Sequence, residues 1–111
     1  MLDLGAEWKA WTGLPFVFAV WAARREAPAG AVRDLHRQLL ASRAWGLDHL
    51  DLLAADASAV TGVSVATCRS YLGTLDYALG GAELEGLTTF FHRLAQDHLA
   101  PAGSLSFITA A

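Results

Sequence analysis

A chain of 111 residues, 54% of them apolar and 17% charged, is long enough for one domain or part of one and too apolar to stay disordered. Eight Lys and Arg against eleven Asp and Glu give a formal charge of −3, and no basic run exceeds Arg24-Arg25, which argues against a nucleic-acid binder. Cys68 is the single cysteine, so neither a disulfide framework nor a cysteine-based zinc site is encoded, and a cytoplasmic location suits the composition.

Asp3 stands where it can cap a short helix running to about Trp11, its carboxylate accepting from the free N–H groups of the first turn and complementing the helix dipole. Trp8 and Trp11 share a face of that helix. Gly13 fits the left-handed position past the helix end and Pro15 blocks continuation, so the chain turns at Thr12-Gly13. Leu14 to Ala23 is then an unbroken apolar run of ten residues, about half of the ~20 that a membrane-spanning helix needs. Phe16, Val17, Phe18, Val20 and Trp21 favour extended structure, which predicts a strand buried on both faces. Asp3 and Glu7 precede this run and Arg24-Arg25 follow it, the reverse of a signal peptide's charge order, so no targeting segment and no membrane span are expected.

Ala27-Pro28-Ala29-Gly30 reads as a loop opening a second helix, with Val32, Leu35, Leu39 and Leu40 at helical spacing and Gly46 ending it near Trp45. A third helix is predicted from about Asp48 to Thr61, stopped by Gly62. A fourth is capped by Ser64 and runs from Val65 to Leu72, stopped by Gly73. Thr74 to Leu79 alternates and is read as a short strand. The last helix, Ala82 to about Leu99, carries a stripe of Leu84, Leu87, Phe91, Leu94 and His98, and Leu105 to Ile108 is a candidate terminal strand.

The residue pattern holds no catalytic constellation. His92 and His98 are six apart on one helix and face different ways, and no metal-ligand spacing links them to His36 or His49, so no metal site is expected. Asp48 and Asp51 suit capping, Glu83 and Glu85 point to different helix faces, and Cys68 beside Arg69 reads as a small buried hydrophobe. Nucleophile-elbow, phosphate-loop and dinucleotide fingerprints are absent. A strand apolar on both faces needs sheet neighbours to pair its N–H and C=O groups, and this inventory supplies too few.

The string Asp3-Leu-Gly-Ala-Glu-Trp-Lys-Ala-Trp-Thr-Gly-Leu-Pro-Phe-Val-Phe-Ala-Val-Trp-Ala-Ala-Arg24 resembles a block of the menaquinone-biosynthesis MqnA family, the chorismate dehydratases of the futalosine route. Leu75-Asp-Tyr-Ala-Leu-Gly80 and Glu83-Leu-Glu-Gly-Leu-Thr-Thr-Phe-Phe91 are similar to its C-terminal region. Ala6 departs from the pattern, where an acidic residue is expected.

The resemblance implies an α/β fold, the C-terminal portion of a two-lobed, type 2 periplasmic-binding-protein-like architecture. Residues 1–13 would be a remnant of lobe two, 14–23 a buried hinge strand and 24–111 the C-terminal part of lobe one. It implies a hydro-lyase that forms 3-[(1-carboxyvinyl)oxy]benzoate and water from chorismate, without a cofactor, with Thr12, Gly13, Leu14, Pro15 and Phe16 at the substrate cleft. It also implies that the N-terminal half is missing, that the chain alone is inactive, and that either the missing half or self-association covers the hinge strand. The 1,4-dihydroxy-6-naphthoate synthase of the same route and a non-catalytic solute-binding module are the alternatives.

Overall fold

The computed structural model describes residues 1–108, and five helices carry the fold: α1 (Leu4–Thr12), α2 (Ala29–Asp48), α3 (Leu50–Thr61), α4 (Val65–Thr74) and α5 (Gly81–Gln96). They fall into two compact units. Among the described residues, one joins 1–22 to 78–108 and contains α1 and α5; the other, Ala23–Tyr77, contains α2, α3 and α4.

In the α1/α5 unit, Asp3 Oδ1 accepts from the N–H groups of Gly5 at 3.0 Å and Ala6 at 3.1 Å, the cap expected of a carboxylate before a first turn. Gly13 closes the helix at φ 75°, a left-handed value that glycine adopts without steric cost. At the start of α5, Glu83 Oε2 accepts from the Gly80 N–H at 2.9 Å. Trp8 and Leu87 are the buried large side chains of this unit, each worth roughly 2–3 kcal/mol of removal from water.

In the other unit, α3 and α4 pack on Ala54, fully buried, and on Cys68, whose thiol lies 3.7 Å from the Val63 carbonyl. Ser64 caps α4, its Oγ accepting from the Thr67 N–H at 3.2 Å, and Gly62 ends α3 at φ 74°. Arg69 pairs with Asp51 across the two helices, an exposed bridge that contributes little. His49 joins α2 to α3: its N–H donates to Gly46 O at 3.1 Å, its carbonyl accepts from Leu53, and its ring stacks on Trp45 at 4.1 Å.

Several expectations are corrected. Among the described residues there is no strand, so the fold is helical, not α/β with a buried hinge strand. Leu14 to Ala23 leaves α1 as irregular chain, with Phe18 76%, Val20 50% and Trp21 82% exposed. Its residue types do not favour helix, but a strand exists only when a neighbour pairs with it, and no other segment here does so.

Thr74 completes α4, and 75–80 and 105–108 have no regular structure. α2 runs through Gly46 to Asp48 and α4 through Gly73 to Thr74, because a glycine inside a helix costs only about 1 kcal/mol and its neighbours hold it there. α5 stops at Gln96, short of Leu99. His98 takes φ 57°, its N–H donates to Ala95 O at 3.2 Å, and Leu99 N–H reaches back to Leu94 O at 2.8 Å. This is a Schellman stop built on a histidine where glycine is usual.

Candidate functional site

The stretch from Thr12 to Phe16 is shaped by a dense set of local bonds. Thr12 Oγ1 donates to Trp8 O at 2.8 Å and accepts from the Leu14 N–H at 3.1 Å, which fixes the exit from α1. The Gly13 N–H donates to Lys9 O at 2.8 Å, and Lys9 Nζ donates to Gly13 O at 2.6 Å. The turn is therefore held by side chains of the helix it leaves, and Thr12 keeps a single lone pair for anything else.

Beyond the turn the chain runs against α1 and α5, and two glycines admit it. Gly86 is buried in α5, and a Cβ there would overlap the carbonyl oxygen of Pro15. A Cβ at Gly5 would stand 2.9 Å from Phe18 Cζ. Backbone lies against backbone at Pro15 and ring against backbone at Phe18, approaches that any larger residue would push apart.

The close approach brings six aromatic rings into linked contact. Trp8, 7% exposed, meets Trp11 at 5.8 Å, Phe16 at 5.9 Å and Phe90 at 5.7 Å, all edge to face. Phe16 further meets Phe18 at 4.8 Å and Phe90 at 5.2 Å, and Phe91 joins through Phe90. Such pairs add about 0.5–1.5 kcal/mol each beyond the area they bury. Arg93 lies with Cζ 4.0 Å above the Trp11 ring, a cation–π contact. Trp8 Nε1 and Arg93 Nε are buried without a hydrogen-bond partner among the described residues, which offsets part of that gain at about 1–3 kcal/mol per donor.

Of the five residues singled out in the sequence, Thr12, Leu14, Pro15 and Phe16 are half-buried and Gly13 is exposed. Phe16 alone enters the aromatic cluster, while Thr12, Gly13 and Pro15 set the turn and its seat on α5. The sequence reading passed over Phe90, Arg93 and Gly86. Their signal was present: 86, 90 and 93 fall at i, i+4 and i+7 on one face of α5. No group of three His, Cys, Asp or Glu converges as a metal site among the described residues, and none of their helices is long and apolar enough to cross a membrane.

The same stretch carries a likeness to known proteins. A family model described as menaquinone biosynthesis matches residues 1–96, from the first residue to the last of α5. The chain belongs to this menaquinone-biosynthesis family. The chorismate dehydratase of Thermus thermophilus is 37% identical over 92 residues, which cover 83% of this chain and 33% of that protein. The chain thus spans about a third of the length of this curated family relative. No solved structure matches it.

Proposed function

We propose that this chain forms part of a chorismate dehydratase acting in menaquinone biosynthesis, and that the Thr12–Phe16 turn with its aromatic backing lines the substrate site. What carries the reading is membership of the menaquinone-biosynthesis family over 1–96, joined to likeness to an enzyme named chorismate dehydratase. In the proposed reaction a ring C–H bond and the neighbouring C–OH bond break. The C–H electron pair enters the ring, which becomes aromatic, and the hydroxyl leaves with a proton as water. Carbon is neither oxidised nor reduced overall, so the stoichiometry requires no redox cofactor.

Aromatisation supplies driving force, which leaves the protein to orient the leaving hydroxyl, hold the carboxylates and manage one proton. In this reading Phe16, braced by Trp8 and Phe90, offers an apolar wall to the planar ring. Gly13, exposed and without a side chain, lets a ligand approach the turn's backbone. The general base and the carboxylate ligands lie outside this reading's assignments. A chain spanning a third of its relative supplies part of a site, so the 111-residue protein alone is expected to leave chorismate unchanged.

The test is a transplant. The matching region of the Thermus dehydratase is replaced by residues 1–96 of this chain, and chorismate is followed by HPLC. Conversion to 3-[(1-carboxyvinyl)oxy]benzoate by the folded chimera is the expected result. A folded chimera that leaves chorismate intact would refute the assignment, and turnover by the 111-residue chain alone would refute the part-site reading.

A further inference from the structure

Chorismate carries two carboxylates, and an anion that enters an apolar corner needs a cation to meet it. Among the described residues of the α1/α5 unit, Lys9 and Arg93 are the only lysine and arginine. Lys9 is occupied, its Nζ donating to the Gly13 carbonyl at 2.6 Å. Arg93 is held but not neutralised. Its guanidinium lies 4.0 Å above the Trp11 ring and its Nε is buried, while its two Nη groups keep contact with solvent and bond to no described residue. We propose that Arg93 is a carboxylate-binding residue of the site, its Nη edge taking one carboxylate of chorismate, an inference that rests on the proposed placement of substrate at the Thr12–Phe16 turn.

The surroundings of Arg93 favour a ligand over a protein partner. The α1/α5 unit holds five carboxylates of its own, Asp97 among them, four positions beyond Arg93 where helix geometry brings an acid within reach. No ion pair joins Arg93 to any of the five. What fixes the side chain instead is the indole face of Trp11 and the burial of Nε. A guanidinium held in this way is a planar fork set in advance, which loses little side-chain freedom when it grips a carboxylate at two points.

Its position completes the corner. Trp11, which carries the guanidinium, meets Trp8 at 5.8 Å, and Trp8 meets Phe16 at 5.9 Å, so fork and apolar wall flank one buried indole. Thr12 and Gly13 follow Trp11 directly in the chain. An apolar wall with a cation set off to one side is complementary to a flat ring that bears carboxylates on its rim.

The experiment extends the transplant carrying residues 1–96 to Arg93→Gln and Arg93→Lys. Calorimetric titration measures binding of 3-[(1-carboxyvinyl)oxy]benzoate and of two analogues that each lack one carboxylate, 3-(vinyloxy)benzoate and 2-phenoxyacrylate. Turnover and melting temperature are followed beside it. Arg93→Gln is expected to weaken the dicarboxylate at least tenfold and one analogue equally, while the analogue lacking the carboxylate that Arg93 grips changes less than about threefold. Arg93→Lys, which keeps the charge without the fork, should recover part of the loss. Equal weakening of all three compounds would overturn the proposal, since it marks an arginine that pairs with another part of the protein and supports the fold. So would binding indifferent to Arg93 in a chimera that turns chorismate over, a result that leaves the dehydratase reading intact. Arg93-dependent binding without turnover would sink that reading and keep the carboxylate site, and a folded chimera that neither binds nor turns over would refute both.

Discussion

At the scale of single residues, the turn that ends α1 rests on positions with different amounts of warning in the sequence. Gly13 was legible because a glycine two residues before a proline, after a capped amphipathic stretch, has one common conformational use. Replacing it with Ala forces a side chain into φ 75° with open space around it, and a loss of about 1 kcal/mol by chemical denaturation is the expected outcome. Gly86 was illegible. Nothing local distinguishes a helix glycine that merely weakens its helix from one that seats another segment's carbonyl. Gly86→Ala should cost about 2–3 kcal/mol, well beyond the value for Gly13→Ala, because the Pro15 backbone must move. Equal losses at the two sites would show that the seat at Pro15 is loose. His98 was missed for the opposite reason: it does a glycine's work without being one. Removing its left-handed strain with His98→Gly should stabilise the chain by about 0.5–1 kcal/mol in the same assay.

At the scale of elements, helices were read well where their ends are chemical and poorly where they are tertiary. Asp3, Gly62 and Ser64 mark boundaries by side-chain acceptance or by left-handed backbone, and those boundaries stand within a residue or so. Gly46 and Gly73 look like stops but sit inside helices, with Leu53 Cδ1 at 3.4 Å and Leu50 Cδ1 at 3.7 Å of their would-be Cβ positions. The stripe of α5 was read correctly at Leu87, which is buried, and wrongly at Phe91. Phe91 was placed on the inner stripe, yet it is 42% exposed, while Phe90 meets Trp8 and Phe16. Phe90→Ala should therefore cost about 3 kcal/mol and Phe91→Ala under 1 kcal/mol, and the reverse order would restore the original stripe. The largest miss, Leu14–Ala23, has the same root. Residue type argued against helix there, but a ladder needs a partner that propensity does not report.

At the scale of the whole molecule, the scan for constellations of catalytic residues ended without one, and the structure explains why the candidate site was only half legible. The five residues from Thr12 to Phe16 were found through resemblance, whereas the features that give them shape come from elsewhere in the chain. Lys9 and Trp8 hold the turn from within α1; Gly86, Phe90 and Arg93 meet it or its helix from α5, some seventy residues on. Sequence spacing conveys helix faces but not which face meets which, and that pairing turns a helix stop into a packed aromatic corner.

The most direct test of this corner is kinetic. In the transplanted enzyme, kcat/KM for chorismate is compared for Phe16→Leu and Phe90→Leu, two ring deletions that touch the same cluster from its two sides. If Phe16 forms the wall of the site and Phe90 only braces it, both variants lower the melting temperature by similar amounts, but Phe16→Leu lowers kcat/KM at least tenfold while Phe90→Leu leaves it within about threefold. Equal kcat/KM values for the two variants would contradict the placement of the Thr12–Phe16 turn at the substrate.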